Sequence, residues 1–187
     1  PKTNVKIQSF AYNDGIEYFG TNKGFYLREK GSKPSIINSM NVLSLEVTDS
    51  GYILMGCKKG IHYFNDGDIQ QYSLGNSGEV SINSINHISE NEVWYSTFGS
   101  GVFLHDFGTF KNIYFEDGFN PKGMVFDIIV WKQKKYIATK NGLFVLDKNK
   151  IEKHFTKKDG LPSNIILDLD AKDDEELWLL LKTHFGC

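Results

Sequence analysis

Apolar residues along this chain come in runs of about five, separated by Gly, Asn and Asp. That is strand spacing; a helix would need apolar positions three and four apart over a dozen residues. The runs recur as sets: "IEYFGTNKGFYL" (16–27), "YILMGCKKGIHYF" (52–64), "EVWYSTFGSGVFL" (92–104) and "KYIATKNGLFVL" (135–146), with a less regular "ELWLLLKTHFGC" (176–187). A column of small residues, Gly20, Gly56, Ser96 and Ala138, repeats at separations of 36, 40 and 42 residues. This period fits one four-stranded sheet per repeat, as in the blades of a β-propeller.

The second unit shows the plan. "NVLSLEVT" (41–48) is a first strand and Asp49-Ser50-Gly51 a turn. "YILMGC" (52–57) leads through Lys58-Lys59-Gly60 into "IHYF" (61–64), and Asn65-Asp66-Gly67-Asp68 turns the chain into "IQQYSL" (69–74). Asn, Asp and Gly suit tight hairpins because they tolerate positive φ. A lone sheet of this size leaves both faces apolar, so neighbours must stack on it. The expected fold is all-β: a β-propeller of four-stranded antiparallel blades at 5–38, 41–74, 82–116 and 124–156, with an incomplete unit at 165–187. A fifth pair of strands has no place in a four-bladed ring, so about four and a half blades are expected as a fragment of a ring of roughly six to eight blades. The start at Pro1 and the break in mid-pattern lead us to expect a piece of a longer protein.

Composition changes this picture little. The 187 residues are 40% hydrophobic, 24% charged and 14% aromatic, with net charge -2, which gives no reason to expect nucleic acid as a partner. No apolar run approaches membrane-spanning length. Cys57 and Cys187 are too few for a disulfide framework. The histidines (62, 87, 105, 154 and 184) show no metal-ligand spacing, and no nucleophile elbow or phosphate loop is present; no metal, cofactor or catalytic residue is expected.

One loop is more distinctive. "DGLPSN" (159–164), followed by a strand, an acidic turn and Leu177-Trp178-Leu179, resembles the two-component regulator propeller repeat family; "VWYSTFGSGVF" (93–103) and "YFGTNKGFY" (18–26) are similar to the second half of its motif. The loops "DGFNPKGMV" (117–125) and "GNSGEVSIN" (75–83) keep only parts of it. The resemblance implies the periplasmic or cell-surface sensor region of a bacterial histidine kinase or hybrid two-component receptor, carbohydrate sensing in many members, a second propeller and further blades in the same chain, and a homodimeric parent protein. It implies no enzyme activity for these residues themselves. Related propellers also occur in secretion-associated surface proteins. Others are polysaccharide lyases or glycosidases, a reading that needs paired carboxylates at the channel mouth.

Residue positions suggest where a ligand would sit. Strand alternation puts the second-to-third turns and the inter-blade loops on one face, which carries Lys23, Lys58, Lys59, Lys140, Lys182, Lys33, Lys122, Lys157 and Lys158. The opposite face mixes both signs. A basic mouth would attract an anionic oligosaccharide, and Phe98 could stack on a sugar ring. The candidate ligand residues are Lys23, Lys59, Phe98, Lys140, Asn141 and Lys182. On the first strands Ser9, Ser44, Ser84, Asp127 and Asp168 form a polar column expected to line the central channel, internal and held by backbone or water. Trp94 and Trp178 are expected to pack between blades, and Trp131 to sit at a rim.

Overall fold

The computed structural model describes residues 4–72, 80–106, 109–112, 124–148, 150–172 and 175–183. Every repeat becomes an antiparallel meander. The first sheet holds β1 (Ile7–Asn13), β2 (Ile16–Thr21), β3 (Gly24–Glu29) and β4 (Ser35–Asn38). The second holds β5 (Val42–Val47), β6 (Ile53–Cys57), β7 (Gly60–Asn65) and β8 (Asp68–Tyr72). The third holds β9 (Ile82–Ser89), β10 (Glu92–Thr97), β11 (Val102–Asp106) and β12 (Thr109–Asn112). The fourth holds β13 (Val125–Trp131), β14 (Lys134–Thr139), β15 (Gly142–Asp147) and β16 (Lys150–Phe155). A two-stranded sheet, β17 (Ile166–Lys172) and β18 (Glu176–Leu181), follows. The first strands lie against one another in order: β1 on β5, β5 on β9, β9 on β13 and β13 on β17.

Alternation along each second strand explains how the sheets join. All five residues of β6 are buried. Ile53, Met55 and Cys57 enter the apolar cluster shared with the first sheet, while Leu54 enters the one shared with the third. In β10, Val93 and Tyr95 point back toward the second sheet and Trp94 forward into the fourth; in β14, Ile137 points back and Ala138 forward. Each seam thus carries its own core, and each sheet contributes to the seams on both sides. The small-residue column serves this packing: a Cβ on Gly20 would come within 2.2 Å of Ser9 Oγ and 2.8 Å of Val42 Cγ1 of the next sheet.

Each first strand carries a bulge, at the residue before the polar column: Gln8, Leu43, Asn83, Phe126 and Leu167 fall where the register slips. Where the bulged residue has an amide, it ties adjacent sheets. Gln8 Nε2 donates to Val42 O at 2.8 Å and Asn41 Oδ1 at 2.9 Å, and Asn83 Nδ2 donates to Val125 O at 2.6 Å and Phe126 O at 2.9 Å. The hairpin chemistry is as expected: Asp66 (φ 46) with Gly67 (φ 91), and Asp14 (φ 47) with Gly15 (φ 81), take positive φ.

The "DGLPSN" loop has a local physical account. Thr156 and Asp159 form a reciprocal cap around a short 3-10 turn, with Asp159 Oδ2 accepting from Thr156 N at 2.9 Å and Thr156 Oγ1 at 2.8 Å. Gly160 follows in the left-handed region (φ 102). Leu161 packs onto the fourth seam, and Asn164 Oδ1 accepts from Lys157 N at 2.7 Å.

Two expectations fail at the open end of the array. Trp178 is 60% exposed rather than packed between blades, because among the described residues no sheet covers the outer side of β17–β18. Asp168, expected to be internal, is exposed for the same reason. Trp94 is buried as expected, its Nε1 donating to Glu92 Oε1 at 2.7 Å. Trp131 ends β13 with Lys132 Nζ 4.3 Å above its ring. Cys187, His184, Lys122 and the Asp173–Asp174 pair lie outside the described residues.

Candidate functional site

Two faces emerge, as strand alternation requires. A backbone bond recurs in all five units between the turn after the second strand and the segment before the first: Asn22 N to Lys6 O, Lys58 N to Asn41 O, Phe98 N to Ser81 O, Lys140 N to Met124 O and Lys182 N to Ile165 O. These turns and inter-blade loops therefore share a face. The turns are closed from within by a threonine: Thr21, Thr97 and Thr139 donate through Oγ1 to Gly24 O, Gly101 O and Gly142 O at 2.7–2.8 Å. In the second sheet Cys57 takes that place, and burial pushes its thiol pKa up to about 12, so it is inert toward nucleophilic chemistry.

Lys23, Lys59, Phe98, Lys140, Asn141 and Lys182 all stand exposed on this face. The structure gathers one of them into a concavity. A 440 Å³ cavity at the seam between the first and second sheets is lined by Met40, Asn41, Cys57, Lys58, Lys59, His62 and Gln71. The Asn41 amide is held by Gln8, and Gln71 Nε2 donates to Lys59 O at 3.2 Å. His62 is buried with Nδ1 lacking a hydrogen-bond partner, and burial holds its pKa below the usual histidine range. Sequence reading missed His62, Asn41 and Gln71 because their approach depends on how β7, β8 and the inter-blade loop fold over the turn. Phe98 is 45% exposed, but its ring packs edge-on against Phe126 at 6.4 Å, anchoring it to the third seam. Asn141 contributes its carbonyl to His154 Nε2, 2.8 Å away. Lys23, Phe98, Lys140, Asn141 and Lys182 stand on the matching turns of the other sheets and do not line this cavity.

Three charge pairs form on the opposite face. Glu17 bonds Arg28, Lys134 reaches Glu152 at 2.5 Å and Lys135 reaches Glu92 at 3.2 Å. This matches ordinary solvated turns, where such pairs contribute under about 1 kcal/mol each.

The polar column is partly satisfied by protein. Ser84 Oγ donates to Asp127 Oδ1 at 2.6 Å, and Asp127 Oδ2 accepts from Leu169 N at 3.1 Å, so this carboxylate links three consecutive sheets. Ser9 Oγ and Ser44 Oγ are buried without a protein partner. Burial pushes the Asp127 carboxyl up to about 6, with Asp168 adding to the rise, while the Ser84, Ile128 and Leu169 bonds oppose it. Glu46, on the first strand β5 of the second sheet, is pushed up to about 7, again chiefly by burial. Asp127 is thus held by Ser84 and Leu169, while Asp168 is exposed.

Neither a protein-family model nor a curated protein matches the chain. Solved structures do. The chain is similar to the extracellular domain of a B. thetaiotaomicron protein described as a one component system, with TM-score 0.80 and 19% identity over 97% of this chain and 27% of that one. It is similar to the extracellular domain of a second B. thetaiotaomicron protein described as a hybrid two component system, with TM-score 0.78 and 20% identity over 95% of this chain and 26% of that one. It is also similar to PorZ, a surface component of the type-IX secretion system of Porphyromonas gingivalis, with TM-score 0.74 and 19% identity over 94% of this chain and 30% of that one. The chain spans about a quarter to a third of the length of these neighbours. Further neighbours are a WD40 β-propeller domain and another β-propeller domain. The chain is a consecutive run of β-propeller blades, four of them four-stranded and a fifth represented by its first two strands.

Proposed function

We propose that this chain is a non-catalytic ligand-recognition segment of a larger bacterial receptor outside the cytoplasm, of the two-component sensor type, and that it binds an acidic oligosaccharide on its basic face. The observation that carries this reading is the 440 Å³ cavity, which brings Lys58 and Lys59 together with the buried His62 and the amides of Asn41 and Gln71. A concave site with a mainly apolar floor and a few polar groups suits a sugar ring bearing a carboxylate or sulfate. Structural likeness to extracellular domains described as parts of one component and hybrid two component systems supports the setting.

The two ends of the array support further blades in the parent protein. Val5, Ile7, Phe10 and Ile36 are exposed on the first sheet, and Trp178 and Leu180 on the last. Faces of that kind are covered when the ring continues, either within the same chain or through a second propeller. Homodimerisation and a kinase output belong to the same reading of the parent protein.

The test is calorimetric titration of the chain with oligogalacturonate, beside a neutral oligosaccharide of equal length. Replacing Lys59 by Glu should weaken acidic-sugar binding at least about tenfold, the scale of losing one charge-assisted contact and adding a repulsion. Lys140→Glu extends the test to the matching turn of the fourth sheet. Both residues are exposed turn positions, so the melting temperature should not move. Unchanged affinity in Lys59→Glu removes the site. A second reading, a scaffold in surface assembly, is favoured by the likeness to PorZ; it predicts no sugar binding by the parent chain at all.

A further inference from the structure

On the face opposite the basic cavity, three potential ligands from two blades converge. Asp49 comes from the turn after β5, and His87 and Glu90 come from β9 and the turn after it. One ligand atom from each lies within 4.8 Å of the others. The two turns are locked together: Ser50 N donates to Glu90 Oε1 at 2.7 Å, and Ser50 Oγ donates to the same oxygen. That places Asp49, the residue before Ser50, beside His87.

The histidine is the informative member. Its side chain is only 4% exposed, Nδ1 faces Asp49 Oδ1 at 4.0 Å, beyond hydrogen-bond reach, and Nε2 is buried without a partner. The imidazole is hydrogen-bonded to neither carboxylate, and Nδ1, the nitrogen that faces Asp49, offers a lone pair on that side in the tautomer whose proton sits on the buried Nε2.

We propose that Asp49, His87 and Glu90 bind a divalent transition cation of the zinc type, bridging the second and third blades. An imidazole nitrogen with two carboxylates suits zinc far better than calcium or magnesium, which take oxygen donors almost exclusively. Ligand atoms around tetrahedral zinc stand about 3.3 Å apart, given metal–ligand bonds of about 2.0–2.2 Å. Asp49, whose side chain is 72% exposed, is free to close that gap by a change of rotamer, while the buried His87 ring stays fixed. Three protein ligands leave a position open to water or to a side chain from a partner. Histidine spacing along the chain cannot show this site, because Asp49 arrives from the preceding repeat.

Titration of the 187-residue chain with zinc chloride in a non-chelating buffer tests it. One zinc per chain is expected, with a rise in melting temperature that chelation reverses and that calcium or magnesium does not reproduce. Asp49→Asn should weaken zinc binding at least about tenfold while leaving the metal-free melting temperature unchanged, since Asp49 is an exposed turn residue. His87→Gln should abolish binding. Because that buried substitution can disturb folding, the Asp49→Asn comparison decides. Absence of binding, or equal affinity in Asp49→Asn, which would place the zinc on other histidines, overturns the proposal.

Discussion

Replacing Gly142 by alanine is expected to destabilise the chain by about 3 kcal/mol or more, which chemical denaturation read by far-UV circular dichroism will measure. Two independent costs add. Gly142 has φ 120, a conformation that residues with a side chain adopt only under strain of roughly 1–3 kcal/mol. A Cβ there would also stand 2.3 Å from the carbonyl oxygen of Phe155, a backbone atom of the adjacent strand that cannot turn aside. Relief requires β15 and β16 to separate at the point where Thr139 Oγ1 closes the turn on Gly142 O. Gly67→Ala is the control. It has positive φ (91) but nothing within 4 Å of its Cβ, so it should cost only the strain, about 1 kcal/mol. Equal costs at the two positions would show that the close approach to Phe155 is not rigid.

That glycine also illustrates what the sequence reveals. The small-residue column and the Gly and Asn turns were visible as a repeating pattern, because each solves the same local problem from blade to blade, whereas the threonine that closes the turn in the first, third and fourth sheets emerged only from the structure. Sheet count, strand order and the two faces followed from that repetition. Burial at the ends did not: Trp178 and Asp168 occupy positions that are internal in the repeat, and exposure there depends on whether a neighbour follows. Contacts across seams were equally hidden. His62 with Lys59, Asp49 with His87, and Asp127 with both Ser84 and Leu169 join residues set apart by the repeat or folded over by a hairpin, and residue spacing carries no such geometry. The bulge at Gln8 and Asn83 likewise reads in sequence as one more polar residue in a strand, although it supplies the amides that tie the first sheet to the second and the third to the fourth.

The two raised carboxylates predict that the fold loses stability as pH rises from about 4 to 7. Glu46 is pushed up to about 7 from a model-peptide value of 4.5, and Asp127 to about 6 from 3.8. Burial is the main cause for both, and the charge of Asp127 adds to the rise at Glu46. Between the unfolded and folded values the native chain holds protons that the unfolded chain has released. Stability from these groups is therefore complete below about pH 4 and is lost as pH climbs through the folded values. At 1.36 kcal/mol per unit, and allowing for the partial exposure of Glu46 and for coupling between the two, the combined loss is about 2–4 kcal/mol by pH 8. Glu90, Glu17, Glu152 and Asp159 have lowered values and act in the opposite sense, but their window lies below pH 5. His62, lowered by burial, opposes the trend within the window itself. Comparison of variants removes that contribution. Glu46→Gln keeps an oxygen for the His87 backbone N–H and discards the charge, so it should stabilise the chain by about 1–2 kcal/mol at pH 8 and leave it nearly unchanged at pH 5. Asp127→Asn should flatten the remainder of the slope at some cost in the Ser84 and Leu169 bonds. A parent and a Glu46→Gln chain with parallel stability–pH curves would mean that Glu46 is solvated in the folded state, with its carboxylate reaching water in the channel.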